Sequence, residues 1–284
     1  MRAYATYLSC LCLACAPAGT ASQELDSSLA RYDFERQVDR FDMPGRLDEI
    51  SGLATTADGR LFGHNDERAT IHEIDPRTGE VGKRFSLGDP PIRGDFEGIA
   101  IVGDRFLLIT SLGLLYEFRE VGDRETAPHR VTDTQLGPTC EAEGLDYDAR
   151  EQELLVACKT SSPDRGTIVV HRLPLDPSRA RPEPIEISRG QLEAFGLDAD
   201  FEASTLAVSP SGTLYLASAT AEALIEVDRS GHVLAGLPLA RDRHRQSEGL
   251  AFGVDGMLYI ADEQNRESAR ITVYRAVPGT GVLP

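Results

Sequence analysis

One phrase recurs five times along the chain, and this repeat limits the possible folds more than any other feature of the sequence. Each copy has an acid or amide, one variable residue, Glu or Ser, a small residue, and then alternating apolar positions. The small residues are spaced by 46, 46, 61 and 44 positions. They are Gly52, Gly98, Gly144, Thr205 and Gly249. A period of this length predicts an array of similar structural units.

Each copy has the pattern of a β-hairpin followed by further strands. Alternating apolar residues, a turn such as "ADGR" or "VDGM", and a second apolar segment indicate two antiparallel strands. In the first copy, "ATIHEID" and "EVGKRFSL" then supply two more strand-like segments. Four strands in a unit of about 40–45 residues are typical of a propeller blade. The sequence therefore predicts an all-β, five-bladed β-propeller.

The two ends of the array predict how the ring closes. The last copy has three strand segments, whereas the segment "RYDFERQVDRF" precedes the first copy and has strand character. This N-terminal segment can supply the outer strand of the last blade and remove an open sheet edge. A six-bladed ring is the alternative, and it requires a degenerate unit in the 61-residue interval. We expect five blades, with residues 189–200 of that interval forming a short helix or a lid.

Residues 1–21 are expected to be a signal peptide, and residues 30–284 a single propeller domain. An early arginine, a short apolar run and then small residues are the layout of a secretory signal. The run is too short to span a bilayer. A lipoprotein leader that ends before Cys15 is the alternative. We therefore expect a periplasmic or secreted protein, either free or anchored to the membrane by a lipid.

The charge balance limits the partners. With 46 acidic and 29 basic residues, the formal net charge is −17, which argues against a nucleic-acid partner because phosphate binding needs clustered Lys and Arg. We expect a monomer whose partner is a small molecule or an envelope protein. An oxidising compartment would permit a disulfide between Cys140 and Cys158, but the sequence alone does not decide whether it forms.

The repeated acids are expected to converge on one mouth of the central channel, because the first strand of each propeller blade lines that channel. The third position of the phrase supplies Glu97, Glu143 and Glu248, with Ser51 and Ser204 in the other two copies. Two residues earlier lie Glu49, Asp95, Glu141, Glu202 and Gln246. The ends of the second strands add His64, Asn65, Asp66, Lys159, Asp262 and Glu263.

Carboxylates brought together repel one another unless they share protons, pair with cations or bind a hard metal ion. Calcium takes about six to eight oxygen ligands, and it fits better than zinc because His64 is the one histidine expected nearby. The predicted calcium ligands are Glu97, Glu143, Glu248, Glu49 and Asp66. Further residues predicted to bind a ligand are Asn65, Glu141, Lys159, Glu202, Arg243, Asp262 and Glu263. The alternative is that these acids cap strands, accept hydrogen bonds from loop amides or face water.

The phrases "LDEISGLA", "GDFEGIAIV", "CEAEGLDYD" and "QSEGLAF…LYIADEQNR" resemble the SdiA-regulated family of exported bacterial propellers, the YjiK-like proteins. The resemblance covers roughly residues 45–275. It implies a five-bladed propeller with calcium near the channel and no established activity, and it carries over to Glu97, Glu143 and Glu248. The fourth copy departs from the pattern, with Thr205 in the glycine position. The chain also resembles, more weakly, phytase-like and esterase-like or gluconolactonase-like propellers.

Two functions are compatible with this sequence, and no catalytic residue is assigned. The first is an exported binding module whose calcium-bound mouth faces a ligand or partner. The second is a metal-dependent hydrolase of phosphoester, ester or lactone substrates, with Glu143 or Asp66 as general base. No G-x-S-x-G or HExxH motif occurs, which favours the first. Arginines of the stretch "ARDRHRQSEG" would hold an anionic substrate group only if they point into the channel.

Overall fold

The chain folds into five antiparallel sheets of four strands each, which form the blades of a propeller. The structure is a computed structural model that describes residues 27–161, 166–265 and 267–277. Blade 1 contains β2 (Ile50–Thr55), β3 (Leu61–Asn65), β4 (Thr70–Ile74) and β5 (Val81–Ser86). Blade 2 contains β6 (Phe96–Val102), β7 (Arg105–Thr110), β8 (Leu114–Arg119) and β9 (His129–Asp133). Blade 3 contains β10 (Cys140–Asp148), β11 (Glu153–Ser161), β12 (Thr167–Pro174) and β13 (Ile185–Ser188).

Blades 4 and 5 complete the ring. Blade 4 contains β14 (Thr205–Val208), β15 (Leu214–Ser218), β16 (Ala223–Val227) and β17 (Val233–Pro238). Blade 5 contains β18 (Ser247–Phe252), β19 (Met257–Asp262) and β20 (Arg270–Arg275), with β1 (Asp39–Asp42) as its outer strand. The prediction of five blades closed by an N-terminal strand is confirmed, since Phe41 of β1 pairs with Ile271 of β20. The six-bladed alternative is wrong.

Five hydrophobic clusters hold the ring together, one between each pair of neighbouring blades. Between blades 1 and 2, for example, the rings of Phe62 and Phe106 meet edge to face with their centroids 5.0 Å apart. The inner strands are buried on both faces because each lies between two neighbouring sheets. Burial of these apolar faces supplies the main driving force for assembling the blades.

The small residue of the repeat allows neighbouring inner strands to approach closely. A Cβ atom at Gly98 would lie 2.6 Å from the backbone nitrogen of Leu145, and one at Gly144 would lie 2.7 Å from that of Leu206. Contacts this short with backbone atoms leave no room for a side chain. The glycine is therefore a packing requirement in blades 2 and 3, whereas Thr205 takes this position in blade 4.

The long interval between the third and fourth copies forms a packed connection. A 3₁₀ helix spans Arg189–Phe195 and ends at Gly196, whose φ is 69°. Leu192 in this helix is fully buried, and it packs in the hydrophobic cluster between blades 3 and 4. The interval thus contains the expected short helix, but this helix is part of the core and not a lid.

The N-terminal part of the described chain is attached to blade 4 through a buried carboxylate. Glu226 accepts hydrogen bonds from Ser27 Oγ (2.7 Å), Ser28 Oγ (2.8 Å), the backbone N–H of Leu29 (2.7 Å) and Thr213 Oγ1 (2.7 Å). Four donors compensate the burial of this charge. The predicted signal peptide, residues 1–21, and the alternative lipoprotein cysteine, Cys15, lie outside the described residues. No helix in the described part of the chain is long and apolar enough to cross a membrane.

We predict that Gly144→Ala destabilises the protein by about 1–3 kcal/mol, because the new methyl group must push blades 3 and 4 apart. Urea unfolding measures this change. Gly82→Ala is the matched control: Gly82 lies on the exposed strand β5, where the nearest atom to a new Cβ is 4.0 Å away. This control should change the free energy of unfolding by less than about 0.5 kcal/mol. Equal effects of the two substitutions would contradict the proposed role of the repeat glycine.

Candidate functional site at the channel mouth

A β-bulge in four inner strands sets the direction of the third residue of the repeat. Strand register shifts at Ser51 in β2, Glu97 in β6, Glu143 in β10 and Glu248 in β18. A bulge leaves one residue out of the ladder and re-aims its side chain. The bulges bring the three glutamates towards one another, since Glu143 interacts electrostatically with both Glu97 and Glu248. We call Glu97, Glu143 and Glu248 the central triad.

The pKa of each member of the central triad is raised above that of an ordinary glutamate. Burial, followed by the charges of Glu143 and Asp95, raises the pKa of Glu97 to about 8. Burial raises the pKa of Glu143 to about 7 even though Lys159 opposes the shift. Burial and the charge of Glu143 hold the pKa of Glu248 well above its usual range. The triad therefore holds protons near neutral pH even with Lys159 beside Glu143.

Lys159 supplies positive charge at this centre. Its Nζ lies 2.9 Å from Oε1 of Glu143, whose side chain is only 4% exposed, while the lysine side chain is 37% exposed. Burial alone would lower the pKa of Lys159, but the charges of Glu143, Glu141 and Glu248 outweigh it, so that pKa is raised. Lys159 partly neutralises the triad from its solvent side.

A second acidic group lies where blades 5 and 1 meet. Burial and the charge of Glu49 raise the pKa of Asp66 to about 6. Burial, followed by the charges of Asp66 and Glu49, raises the pKa of Glu263 to about 7. Oδ1 of Asp66 is buried and has no hydrogen-bond partner. Glu263 also interacts with Lys159 and Glu248, so this group and the central triad form one electrostatic network.

The remaining acids of the mouth accept hydrogen bonds from nearby polar side chains. Ser111 Oγ donates to Oδ2 of Asp95 at 2.5 Å, and Thr160 Oγ1 donates to Oε2 of Glu141 at 3.1 Å. Asn65 Nδ2 lies 3.5 Å from Oε2 of Glu49. Glu97 similarly accepts from Ser51 Oγ at 3.1 Å. Gln246 Nε2 donates to Glu263.

Ser111 and Thr160 are contacts that the sequence reasoning missed. The sequence separation between Ser111 and Asp95 could have indicated this contact. Ser111 follows Asp95 by 16 residues, the same separation that joins Asn65 to Glu49 and Lys159 to Glu143. An alignment of the second strands on this offset would have indicated the serine hydroxyl. Thr160 lies 19 residues after Glu141, so the same offset does not find it.

Two residues predicted to bind a ligand are engaged in other contacts. Arg243 donates to the backbone oxygen of Phe34 and pairs with Glu35 at 3.3 Å, which directs its guanidinium to the N-terminal segment. Asp262 is buried, where it accepts from Ser247 Oγ at 3.0 Å and pairs with Nδ1 of His244 at 2.8 Å. These contacts connect Arg243 to the N-terminal segment and Asp262 to neighbouring residues of blade 5.

The other arginines of the same stretch also face neighbouring loops. Arg241 pairs with Glu222 at 2.6 Å, and Arg245 pairs with Glu267 at 3.3 Å. This arrangement does not support an anion-binding role for the stretch inside the channel.

Blade 4 contributes least to the mouth. Its counterpart of the bulged glutamate is Ser204, whose Oγ donates to the backbone oxygen of Ser247 at 2.5 Å. The backbone N–H of Glu202 donates to Ser218 Oγ at 3.2 Å. The acidic network described above is thus built from blades 1, 2, 3 and 5.

The donor chemistry of the mouth fits a hard cation, although no closed cage is formed. Carboxylate and amide oxygens are the ligands that calcium prefers, and Oδ1 of Asp66 is a buried oxygen without a partner. Within the described residues, no three carboxylates have oxygens within 4.8 Å of one another. In the described part of the chain, the one group of possible metal ligands that close is Cys140, Cys158 and His171. Cys140 and Cys158 form a disulfide with Cα atoms 5.2 Å apart, so their sulfurs are not available to a metal.

We predict that the metal-free protein loses stability as the pH rises from about 5 to about 8. A carboxyl whose pKa is higher in the folded than in the unfolded protein holds its proton more tightly when folded. The free energy of unfolding therefore falls as the pH passes through the folded-state pKa values of about 7 for Glu143 and about 8 for Glu97. Each unit of raised pKa corresponds to about 1.4 kcal/mol.

Denaturant unfolding in a chelating buffer at several pH values measures this slope. Glu97→Gln removes one of the titrating groups, so its slope should be shallower than that of the natural protein. Glu186→Gln, on the outer strand β13 and away from the mouth, should keep the natural slope. A Glu97→Gln slope identical to that of the natural protein would be evidence against a strained triad.

The fold resembles that of solved propeller proteins at low sequence identity. Glutaminyl cyclase from Myxococcus xanthus superposes with a TM-score of 0.58 at 17% identity, over 84% of this chain and 95% of the cyclase. A luciferin-regenerating enzyme superposes with a TM-score of 0.54 at 11% identity, over 86% of this chain and 96% of that enzyme. At these identities the likeness shows the fold alone. No match was found among curated proteins.

The sequence comparison with protein families is more specific. The model of the SdiA-regulated family matches residues 26–266, which is most of the chain and includes all four bulged inner strands. The chain therefore belongs to the SdiA-regulated family.

Proposed function

We propose that the channel mouth binds calcium and that the occupied mouth presents a binding face to a small molecule or an envelope protein. The observation that carries this proposal is the set of carboxyl groups whose pKa values are raised to about 6 for Asp66, about 7 for Glu143 and about 8 for Glu97. Ionising several such carboxyl groups side by side costs free energy because the carboxylates repel one another. A dication bound beside them offsets this cost.

The residues that would hold the ion are the central triad, together with Asp66 and Glu49. Calcium accepts mixed sets of carboxylate, carbonyl and water oxygens in flexible geometry. Since the carboxylates do not form a closed cage, part of the coordination would be left to water or to oxygens of a ligand. When bound, the ion would supply positive charge at the mouth and an attachment point for such oxygens.

Lys159 would compete with a bound cation for the carboxylates of the triad. The lysine ammonium neutralises Glu143 at 2.9 Å and interacts with Glu141 and Glu248. A dication at the triad would repel this ammonium, whose side chain is exposed enough to turn towards solvent. Lys159 would therefore lower the affinity for calcium, although it also opposes the rise in the pKa of Glu143 that burial causes.

Export of the protein is part of the same proposal. The disulfide between Cys140 and Cys158 joins β10 to β11 beside the triad, and disulfides persist in oxidising compartments. It agrees with the signal peptide predicted for residues 1–21. A periplasmic or secreted location, with or without a lipid anchor, would also give the mouth access to extracellular calcium.

Calorimetry tests the calcium proposal. The mature chain, treated with chelator and titrated at pH 7.5, should bind calcium saturably and gain thermal stability in proportion to occupancy. Glu97→Gln should weaken binding at least about tenfold, a change of about 1.4 kcal/mol. Lys159→Gln should strengthen binding at pH 8, because the competing ammonium is removed.

Glu186→Gln serves as the control for total charge, since its carboxylate lies on the outer strand β13. Absence of binding heat together with an unchanged melting temperature would refute the proposal. Equal loss of affinity in Glu97→Gln and Glu186→Gln would show that calcium senses the net charge of the protein and not the mouth.

A second candidate function, metal-dependent hydrolysis, is favoured by one observation at Asp66. A carboxylate with a pKa near 6 and an unpartnered oxygen has the properties of a general base. In such a reaction the central triad and Glu49 would hold the ion and Asp66 would stay free of it. Asp66 would take the proton of a water molecule that attacks the phosphorus or carbonyl carbon, and would return that proton to the leaving oxygen as the P–O or C–O bond breaks. Glu143 is less suited to this task because its carboxylate already accepts from Lys159.

Turnover of phosphoesters, esters and lactones, with and without calcium, tests this second function. Activity that is lost at least about 100-fold in Asp66→Asn, with calcium binding retained, would support it. Calcium binding without turnover of any of the three classes would leave the mouth as a binding site only.

A further inference from the structure

We propose that a cavity on the mouth side of blade 1 binds the carboxylate or phosphate group of a small molecule, held by Arg46, Arg84 and His72. The cavity has a volume of about 470 Å³, within the range of small-molecule sites, about 300–1,000 Å³. Glu49 and Asn65 form its side nearest the channel, so it opens on the same face as the acidic mouth. The proposal does not depend on calcium.

Strand pairing in blade 1 places four polar side chains on one wall of the cavity. His72 of β4 pairs with Arg84 of β5, and Thr70 pairs with Ser86 two residues away on each strand. Side chains two residues apart lie on the same face of a sheet. All four residues line the cavity, where they present one cation, one imidazole and two hydroxyls.

Arg46 also lines the cavity, from a different element. It lies in the 3₁₀ helix Gly45–Leu47, and its guanidinium donates to the backbone oxygen of Val81 at 3.2 Å. That bond uses one of the several N–H groups of the guanidinium, so others can donate to a ligand. Arg46 and Arg84 thus approach the cavity from two different elements, as a clamp on an oxyanion requires.

The charge of the cavity lining is opposite to that of the whole protein. Four arginines line the cavity against two glutamates, in a chain whose formal net charge is −17. Glu67 lies 3.7 Å from Arg93, outside this set of four. Asp123 pairs with Arg124 at 3.6 Å and accepts a hydrogen bond from the backbone N–H of Arg84 at 3.0 Å. Among the described residues, no carboxylate forms an ion pair with the guanidinium of Arg46, Arg68 or Arg84. A local surplus of unpaired guanidinium groups selects for an anionic ligand.

A buried, unpartnered nitrogen points independently to a ligand. His72 is only 2% exposed, it lines the cavity, and its Nδ1 has no hydrogen-bond partner. Burial, followed by the charges of Arg46 and Arg84, lowers the pKa of His72 to about 4, so the ring is neutral at physiological pH. A neutral imidazole carries one N–H. An oxyanion between Arg46 and Arg84 would lie beside this imidazole, and the ring N–H would be a donor for it.

Titration of the mature chain with inorganic phosphate and with succinate tests this site. Both titrations are run in chelator at constant ionic strength, followed by calorimetry and by the imidazole NMR signals. We expect saturable binding of at least one probe, with a shift of the His72 signal and none for His129, an exposed residue of β9. The probe that binds more tightly identifies the ligand group as phosphate or carboxylate.

Arg84→Gln should weaken that binding at least about tenfold. The matched control is Arg119→Gln, which removes an exposed strand arginine that pairs with Asp104 at 3.0 Å on blade 2. Because both arginines are exposed at the surface, both variants are expected to fold. Failure of both probes to bind saturably would overturn the proposal, as would equal affinities of the two variants. Since calcium is absent throughout, neither result bears on the calcium proposal.

Discussion

The close approach of the inner strands is the constraint on which the rest of the structure depends. Backbone atoms of neighbouring blades come so near that a Cβ at Gly98 or Gly144 would overlap them. The residue directly before each of these glycines is a glutamate at a β-bulge. The bulge turns the glutamate side chain out of its sheet. Packing of the ring and convergence of the acids are thus two results of one local arrangement. The repeated Glu-Gly pair encodes both.

The converging carboxylates repel one another, and this repulsion opposes the close packing of the inner strands. The central triad resists ionisation, with a pKa of about 8 for Glu97, and only Lys159 partly offsets the charge of Glu143. The disulfide between Cys140 and Cys158 and the five hydrophobic clusters hold the strands in place against this repulsion. Strained carboxyl groups of this kind concentrate at functional sites. This repulsion lowers the stability of the protein as the carboxyl groups ionise, and under our calcium proposal a bound cation would restore it.

The sequence was sufficient for the blades because five copies of one phrase, four of them with a glycine in the inner strand, leave little choice of fold. It also placed Glu97, Glu143 and Glu248 together, since equivalent positions of a ring meet on its axis. The contacts of Arg243 could not be predicted, because Glu35 is 208 residues away and is brought near only by ring closure. Nor could the cavity of blade 1, because the pairing of His72 with Arg84 depends on a register shift at the next residue pair.

The most direct test of the account is diffraction from crystals of the mature protein grown with calcium, with anomalous differences used to locate the ion. We expect an anomalous peak at the channel mouth, contacted by oxygens of Glu97, Glu143 or Glu248, with Lys159 turned away from Glu143. An empty mouth at saturating calcium, with Lys159 still bound to Glu143, would contradict it.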